Sequence, residues 1–378
     1  MCSDLRLSPT VYTRAGWRQI GKLITGSLSR SGQALKVGLA LIGLALLAGC
    51  DSDPVVIKFS GPIMGTQYHV SVVESEGLSL DEAGRQSLAQ GIKDSLVDVD
   101  LKMSTYKPSS ELSRFNQMDT GEWFPVSGDT AAVVNEALLI AEESGGAFDP
   151  TIGPLVNLWG FGPDLKPDQV PSEAELALAF ERVGHHSVQV KGLEGKTPAI
   201  RKNKAIYLDL SAIAKGYAVD QVARYLQKQG YQNYLVEVGG ELQLKGRKPD
   251  GSSWRIAIEK PNTQGQVAQQ VLAVTDVAVA TSGGYRNYFE ADGQRYSHTI
   301  NPLTGRPITH KLASVTVLHA SCATADALAT TLMVMGPEKG LEFARQHKLA
   351  VYMLVKAEEE GFDVIRTEQF TALTNQKY

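Results

Sequence analysis

Residues 323–331, ATADALATT, place a carboxylate and a hydroxyl, Asp326 and Thr330, four positions apart and so on one face of a helix. Both offer oxygen, and no His or Cys clusters beside them, which suits Mg²⁺ or Ca²⁺ rather than zinc. The same pair could instead cap the helix and bond back to a carbonyl. Residues 209–216, DLSAIAKG, put Asp209 just before an expected helix start and Lys215 in its first turn. Helix N-terminal N–H groups and a lysine together favour a phosphate, although a capped surface helix would read alike. In 297–302, SHTINP, His298 could serve as a general base near neutral pH or be a structural histidine at a strand end. In 146–154, GAFDPTIGP, Phe148 could stack on a flat ring while Asp149 accepts from an N–H edge; alone, the segment is a turn. Cys322 reads as a buried, inert thiol rather than a nucleophile.

Positioning these groups takes both helices and sheet. Residues 55–74 read as two strands with a bend at Gly61-Pro62 and Met64-Gly65. Helical spacing runs over 80–102, with Leu88, Ile92, Leu96, Val99 and Met103 on one side. Further helices are expected at 130–144, just after Thr151, at 172–183 with Ser172 and Glu175 in capping-box spacing, and from a cap at Ser211 to about Gln229. Strands are expected around Val188, Ile200, Ile206, Leu235, Leu242, Ile256, Val279, Tyr296 and Val315, with Gly239-Gly240 and Gly283-Gly284 supplying positive φ angles in turns. Helices at 325–335 and 338–347 and a strand at 351–355 close the chain. Without regular βα alternation, this is an α+β chain with a mixed or antiparallel sheet and flanking helices.

The chain has 378 residues, 43% hydrophobic and 21% charged, ample for one large core and unlike a disordered composition. Six basic residues precede an uncharged run from Val37 to Gly49, which is too short to span a bilayer and ends Leu47-Ala48-Gly49 before Cys50. This reads as a lipoprotein signal peptide over 1–49, lipidation at Cys50, a tether over 50–54 and one large α+β domain over 55–378. Residues 1–49 carry six basic side chains and one acidic, so their removal takes the formal net charge from −4 to −9. That argues against nucleic acid as a partner and leaves a metal to supply positive charge for a phosphate ligand. Cys322 would be the only thiol of the mature body, so the fold must rest on core burial without a disulfide.

Taken in order, with a lipobox in front, these segments resemble the FAD:protein FMN transferases, the ApbE-like lipoproteins, from Met64-Gly65-Thr66 to the final helices. The resemblance implies the ApbE-like fold and Mg²⁺-dependent attack of a Thr or Ser hydroxyl on the FMN phosphate of FAD, releasing AMP. It puts Met64, Tyr106, Ala147, Phe148, Asp149, Asp209, Lys215 and Ile300 around FAD. Ala212 through its carbonyl, Asp326 and Thr330 would hold the metal, with the backbone at Ala329. His298 would be the base or the phosphate-orienting group. Acceptors would be respiratory-complex subunits carrying a Ser/Thr flavinylation motif, reached from a lipid anchor in the inner membrane facing the periplasm. Asn301 stands where the family commonly has aspartate, and Leu303 where it commonly has arginine. Two other readings are FAD pyrophosphatase activity, in which water replaces the acceptor hydroxyl, and a non-catalytic periplasmic flavin-binding lipoprotein.

Overall fold

Runs of β-branched and aromatic residues build one eight-stranded sheet in a computed structural model of the chain, which describes residues 55–74, 80–163, 170–194, 197–261, 267–284, 288–291 and 293–375. The expected signal peptide, Cys50 and the tether lie outside the described residues. The strands are β1 (Val56–Ile63), β2 (Thr66–Val73), β3 (Tyr234–Val238), β4 (Glu241–Lys245), β5 (Val277–Gly283), β6 (Leu312–His319), β7 (Ala350–Lys356) and β8 (Phe362–Arg366). Their order across the sheet is their order in the chain. Each strand pairs antiparallel with the next, and Tyr68 meets Val238 where β2 joins β3. The α+β expectation holds, with an antiparallel rather than mixed main sheet.

The helices are α1 (Glu82–Met103), α2 (Glu111–Gln117), α3 (Gly128–Glu143), α4 (Gly153–Leu158), α5 (Glu173–Phe180), α6 (Ala214–Lys228), α7 (Cys322–Met335), α8 (Pro337–Gln346) and α9 (Glu368–Thr374). Period-two alternation assigns the two faces of the sheet. Tyr68, Val70, Val72, Tyr234, Val236 and Val238 share a core with Leu88, Ile92, Leu96, Val219 and Val222 of α1 and α6. Each such buried aliphatic side chain contributes about 1.5–3 kcal/mol. Val277, Val279, Leu318, Tyr352 and Leu354 face the other way, under the hairpin Trp254–Glu259/Ala268–Val274 and Phe370 of α9. The central strands are thus covered on both faces. Their sequences are correspondingly near-continuous apolar runs, without the alternation of a half-exposed strand.

Several expected boundaries move for local reasons. The β1–β2 bend is at Met64-Gly65, both at positive φ, whereas Gly61-Pro62 stays inside β1. α6 begins at Ala214 and not at a Ser211 cap, because Ser211 donates its backbone N–H to Asp209 in a preceding turn. α7 begins at Cys322, where Ser321 accepts from the Thr324 N–H, so Asp326 lies in the second turn and is not its cap. Ser172 and Glu175 form the expected capping box at α5. Gly239 and Gly240 take positive φ between β3 and β4, but Gly283 ends β5 in extended backbone, and neither it nor Gly284 takes a positive φ. No strand forms at Ile206; its neighbour Tyr207 makes only a bridge to Ile152. β8 and α9, which complete the sheet edge and its outer cover, have no counterpart in the sequence reading.

Candidate active site

α6 and α7 meet at Gly216. A methyl group there would lie 2.2 Å from the Cys322 carbonyl oxygen and 2.8 Å from the Ala323 Cα, so the two backbones touch at this point. The contact lets the Gly216 N–H donate to Asp326 Oδ2 at 3.1 Å. Gly216 is in the first turn of α6, whose N–H groups have no acceptor within the helix, and Asp326 supplies one. Ala212, just before the helix, stands on the wall of the same cleft as Asp326 and Thr330. Asp220, one turn further along α6, fixes the junction by accepting from the N–H groups of Cys322 and Ala323 at 2.9 and 3.0 Å and from the Ser321 hydroxyl at 3.1 Å.

The cleft encloses about 450 Å³. Its lining includes Asp209, Ala212, Lys215, Glu241, Asp326 and Thr330; Thr330 shares a hydroxyl contact of 3.2 Å with Ser282 of β5. Lys215 Nζ donates to Glu241 Oε1 at 2.6 Å. Burial pushes the Glu241 and Asp326 carboxyls above the usual carboxylate range, and Lys215 pulls both back in part. Burial would lower Lys215, but the charges of Glu241 and Asp326 more than offset it, and its pKa rises. Two buried carboxylates thus face one ammonium. The donor set of carboxylate, hydroxyl and carbonyl oxygens, with a net negative charge, fits Mg²⁺.

Apolar side chains complete the wall: Ile152, Val156, Phe161, Ile300, Met333 and Val334. His298 lies on this wall, its ring edge-on to Phe161 at 6.3 Å between centroids. The segment from Ala147 to Asp149 is docked against Asp209, whose N–H donates to the Pro150 carbonyl at 2.7 Å. Asp149 is buried, with Oδ1 accepting from the N–H and hydroxyl of Thr151 at 2.7 and 2.6 Å. Its Oδ2 takes the N–H and Nδ1 of His185 at 3.2 and 3.1 Å. Burial raises the Asp149 pKa, but these bonds outweigh it and hold the carboxyl below its usual range.

The fold therefore brings ten of the sequence-derived residues to one cleft: Ala147, Phe148, Asp149, Asp209, Ala212, Lys215, His298, Ile300, Asp326 and Thr330. Three do not line it. Ala329 is fully buried within α7, Met64 packs against the helix-side core from the β1–β2 turn, and the exposed Tyr106 stands outside the wall, close enough to Asp209 to feel its charge. Phe148 lines the cleft from a position 4% exposed and continuous with the core, and Phe161 is a second aromatic residue in the lining. Glu241 and Phe161 were missed. The signal for Glu241 was a carboxylate at an inward position directly after Gly239-Gly240. Asn301 Oδ1 accepts from the Leu303 N–H at 2.9 Å, so this turn needs no aspartate, and Leu303 is exposed.

A family model described as the ApbE family matches residues 64–353. The chain belongs to the ApbE family. It is 47% identical over 334 residues to the FAD:protein FMN transferase of Vibrio cholerae, covering 88% of this chain and 97% of that protein. It is 42% identical to the enzyme of the same name from Haemophilus influenzae, covering 90% and 98%. Among solved structures, the flavin transferase ApbE from Vibrio cholerae superposes with a TM-score of 0.77 at 45% identity, covering 85% of this chain and 99% of that one. The apo flavinyl transferase ApbE of Pseudomonas stutzeri gives 0.77 at 41%, covering 86% and 98%. The residues lining the cleft of this ApbE-family chain, from Ala147 to Val334, all fall within the match.

Proposed function

We propose that this chain is a FAD:protein FMN transferase that moves FMN from FAD to a Ser or Thr hydroxyl of an acceptor protein, with Mg²⁺ held by the Ala212 carbonyl, Asp326 and Thr330. The observation that carries the reading is the α6–α7 contact, which brings Ala212, Asp326 and Thr330 to the lining of one cleft together with Lys215 and several apolar side chains. When bound, Mg²⁺ would neutralise charge on the pyrophosphate. The apolar wall would take the isoalloxazine, and the N-terminal turn of α6 with Lys215 would face the phosphates. His298 would take the proton of the acceptor hydroxyl as its oxygen bonds to the FMN phosphorus. The bond from that phosphorus to the bridging oxygen breaks, and AMP departs with the electron pair. Positioning and charge neutralisation are the main contributions expected in such a transfer.

The lipobox Leu47-Ala48-Gly49-Cys50, with Asp51 after it, supports attachment to the inner membrane facing the periplasm, and the family resemblance supports respiratory-complex subunits as acceptors. Among the described residues no helix is long and apolar enough to cross a membrane. Cys50→Ser should release the protein from membranes and keep its soluble activity; a Cys50→Ser protein that stays membrane-bound would overturn the anchor.

The enzyme reading is tested by incubating the protein with FAD and Mg²⁺, with and without an acceptor carrying a Ser/Thr flavinylation motif, and measuring the FMN adduct by mass spectrometry. Asp326→Asn should nearly abolish the adduct, with partial rescue by added Mg²⁺. Wild-type transfer by Asp326→Asn at unchanged Mg²⁺ dependence would refute the metal assignment, and free FMN without adduct would point to hydrolysis.

A further inference from the structure

On the far side of Asp149 from the cleft, three metal-ligating side chains converge. His185, in the 3₁₀ turn His185–Ser187, is buried, while Glu142 at the end of α3 and His186 are open to solvent. His185 Nε2 and His186 Nδ1 lie 3.5 and 3.4 Å from the same oxygen, Glu142 Oε2. One ligating atom from each residue falls within 4.8 Å of the others.

Two further observations separate this group from an ordinary surface cluster. His185 Nε2 is buried and makes no hydrogen bond within the protein, with only the Glu142 carboxylate near it at 3.5 Å, an expensive state for a polar atom unless something else binds it. Its other nitrogen, Nδ1, faces Asp149 Oδ2 at 3.1 Å, and Asp149 accepts the backbone N–H of His185 as well. A carboxylate on Nδ1 selects the tautomer with a bare Nε2 and raises its basicity, the arrangement that orients histidines toward zinc.

We infer that Glu142, His185 and His186 form a second cation site, separate from the oxygen-lined Mg²⁺ position, which takes a zinc-class transition-metal ion. Ligand bonds of about 2.0–2.1 Å in a tetrahedron imply ligand–ligand edges of about 3.3–3.4 Å, close to the two distances from Glu142 Oε2. Two imidazoles and one carboxylate favour zinc, cobalt or nickel over Mg²⁺. Three protein ligands leave a fourth position, which opens on a recess of about 360 Å³ walled by Gly145, Gly146, Phe180 and Leu303. Because Asp149 forms part of the flavin cleft, an ion on His185 would stiffen the wall from Ala147 to Asp149 through the His185–Asp149 bond. The site stands on its own residues and does not depend on the transferase reading.

The test uses the full chain stripped with EDTA and then held in excess Mg²⁺, titrated with ZnCl₂ by calorimetry and, in parallel, with Co²⁺ by visible absorption. Wild type should bind one zinc equivalent and show the intense bands of four-coordinate cobalt. Glu142→Gln and His186→Ala, both at exposed positions, should each weaken binding about tenfold or more, whereas Asp326→Asn should leave it intact. The inference is overturned if wild type takes up no zinc in Mg²⁺, if both exposed-ligand variants bind like wild type, or if Asp326→Asn alone loses the ion.

Discussion

Replacing Gly216 with alanine would be expected, from helix propensity alone, to stabilise α6 by about 0.8–1 kcal/mol. The structure reverses the sign. The new methyl would sit 2.2 Å from the Cys322 carbonyl oxygen, 2.6 Å from its carbon and 2.8 Å from the Ala323 Cα, all backbone atoms that no rotamer change can move. Restoring ordinary contact requires α6 and α7 to part by about 1 Å, an overpacking cost of about 1–3 kcal/mol. The same displacement stretches the 3.1 Å bond from the Gly216 N–H to Asp326 beyond hydrogen-bonding range, and a bond to a charged group contributes about 1.5–3 kcal/mol. Less the propensity gain, Gly216→Ala should lose about 1.5–5 kcal/mol in urea unfolding. Its Mg²⁺ requirement for FMN transfer should rise as the Ala212 and Asp326 oxygens move apart. A variant as stable as wild type, or more stable, with the same Mg²⁺ requirement would refute the close-contact argument.

His298→Ala should lower the transfer rate by about 10²-fold while FAD affinity, measured by flavin fluorescence, stays near wild type. Asp220→Ala strips three donors at the start of α7 of their acceptor and should cost about 2–4 kcal/mol in urea melts, without abolishing Mg²⁺-dependent transfer. Burial pushes Asp129 up, but hydrogen bonds from Lys102 and Tyr217 outweigh it and hold its carboxyl below the usual range. Its contribution is intact above the ordinary carboxylate pKa of about 3.9 and fades as pH falls from there through the lower folded value. Asp129→Asn should therefore flatten the acid limb of stability against pH, and an unchanged limb would assign that slope to other groups.

Local signals carried much of the fold. The helix face from Leu88 to Met103, the Ser172–Glu175 capping box and the apolar strands around Val279 and Val315 could be placed from period and capping chemistry alone. Asp326 and Thr330 were visible because one helix carries both. What escaped depends on distant partners. Nothing near Gly216 reveals that the backbone of Cys322 will touch it, and Asp149 meets His185, 36 positions along the chain, only after the intervening segment has folded back. Nothing near Phe161 in sequence marks it for the cleft, and only the folded chain brings it to the same lining as Phe148. The start of α6 was misjudged because Ser211 and Asp209 together can build either a cap or a tight turn, and the turn wins.

The strand order has a kinetic meaning. β1–β2 and β7–β8 are hairpins that can close within microseconds, but β2 must wait for β3, with Tyr68 pairing to Val238 across the whole helical layer. Closing a loop of that length costs about 4–5 kcal/mol of chain entropy before the pairing returns anything. α6 lies inside that loop and α7 beyond it, and the Gly216–Asp326 bond closes a second loop spanning 110 positions, so the oxygens of Ala212 and Asp326 share no site until that second loop has closed. Substrate and metal can therefore act only on the finished molecule. Their binding should slow global unfolding by mass action while leaving the opening of the terminal hairpins unprotected, a pattern that hydrogen exchange would display strand by strand.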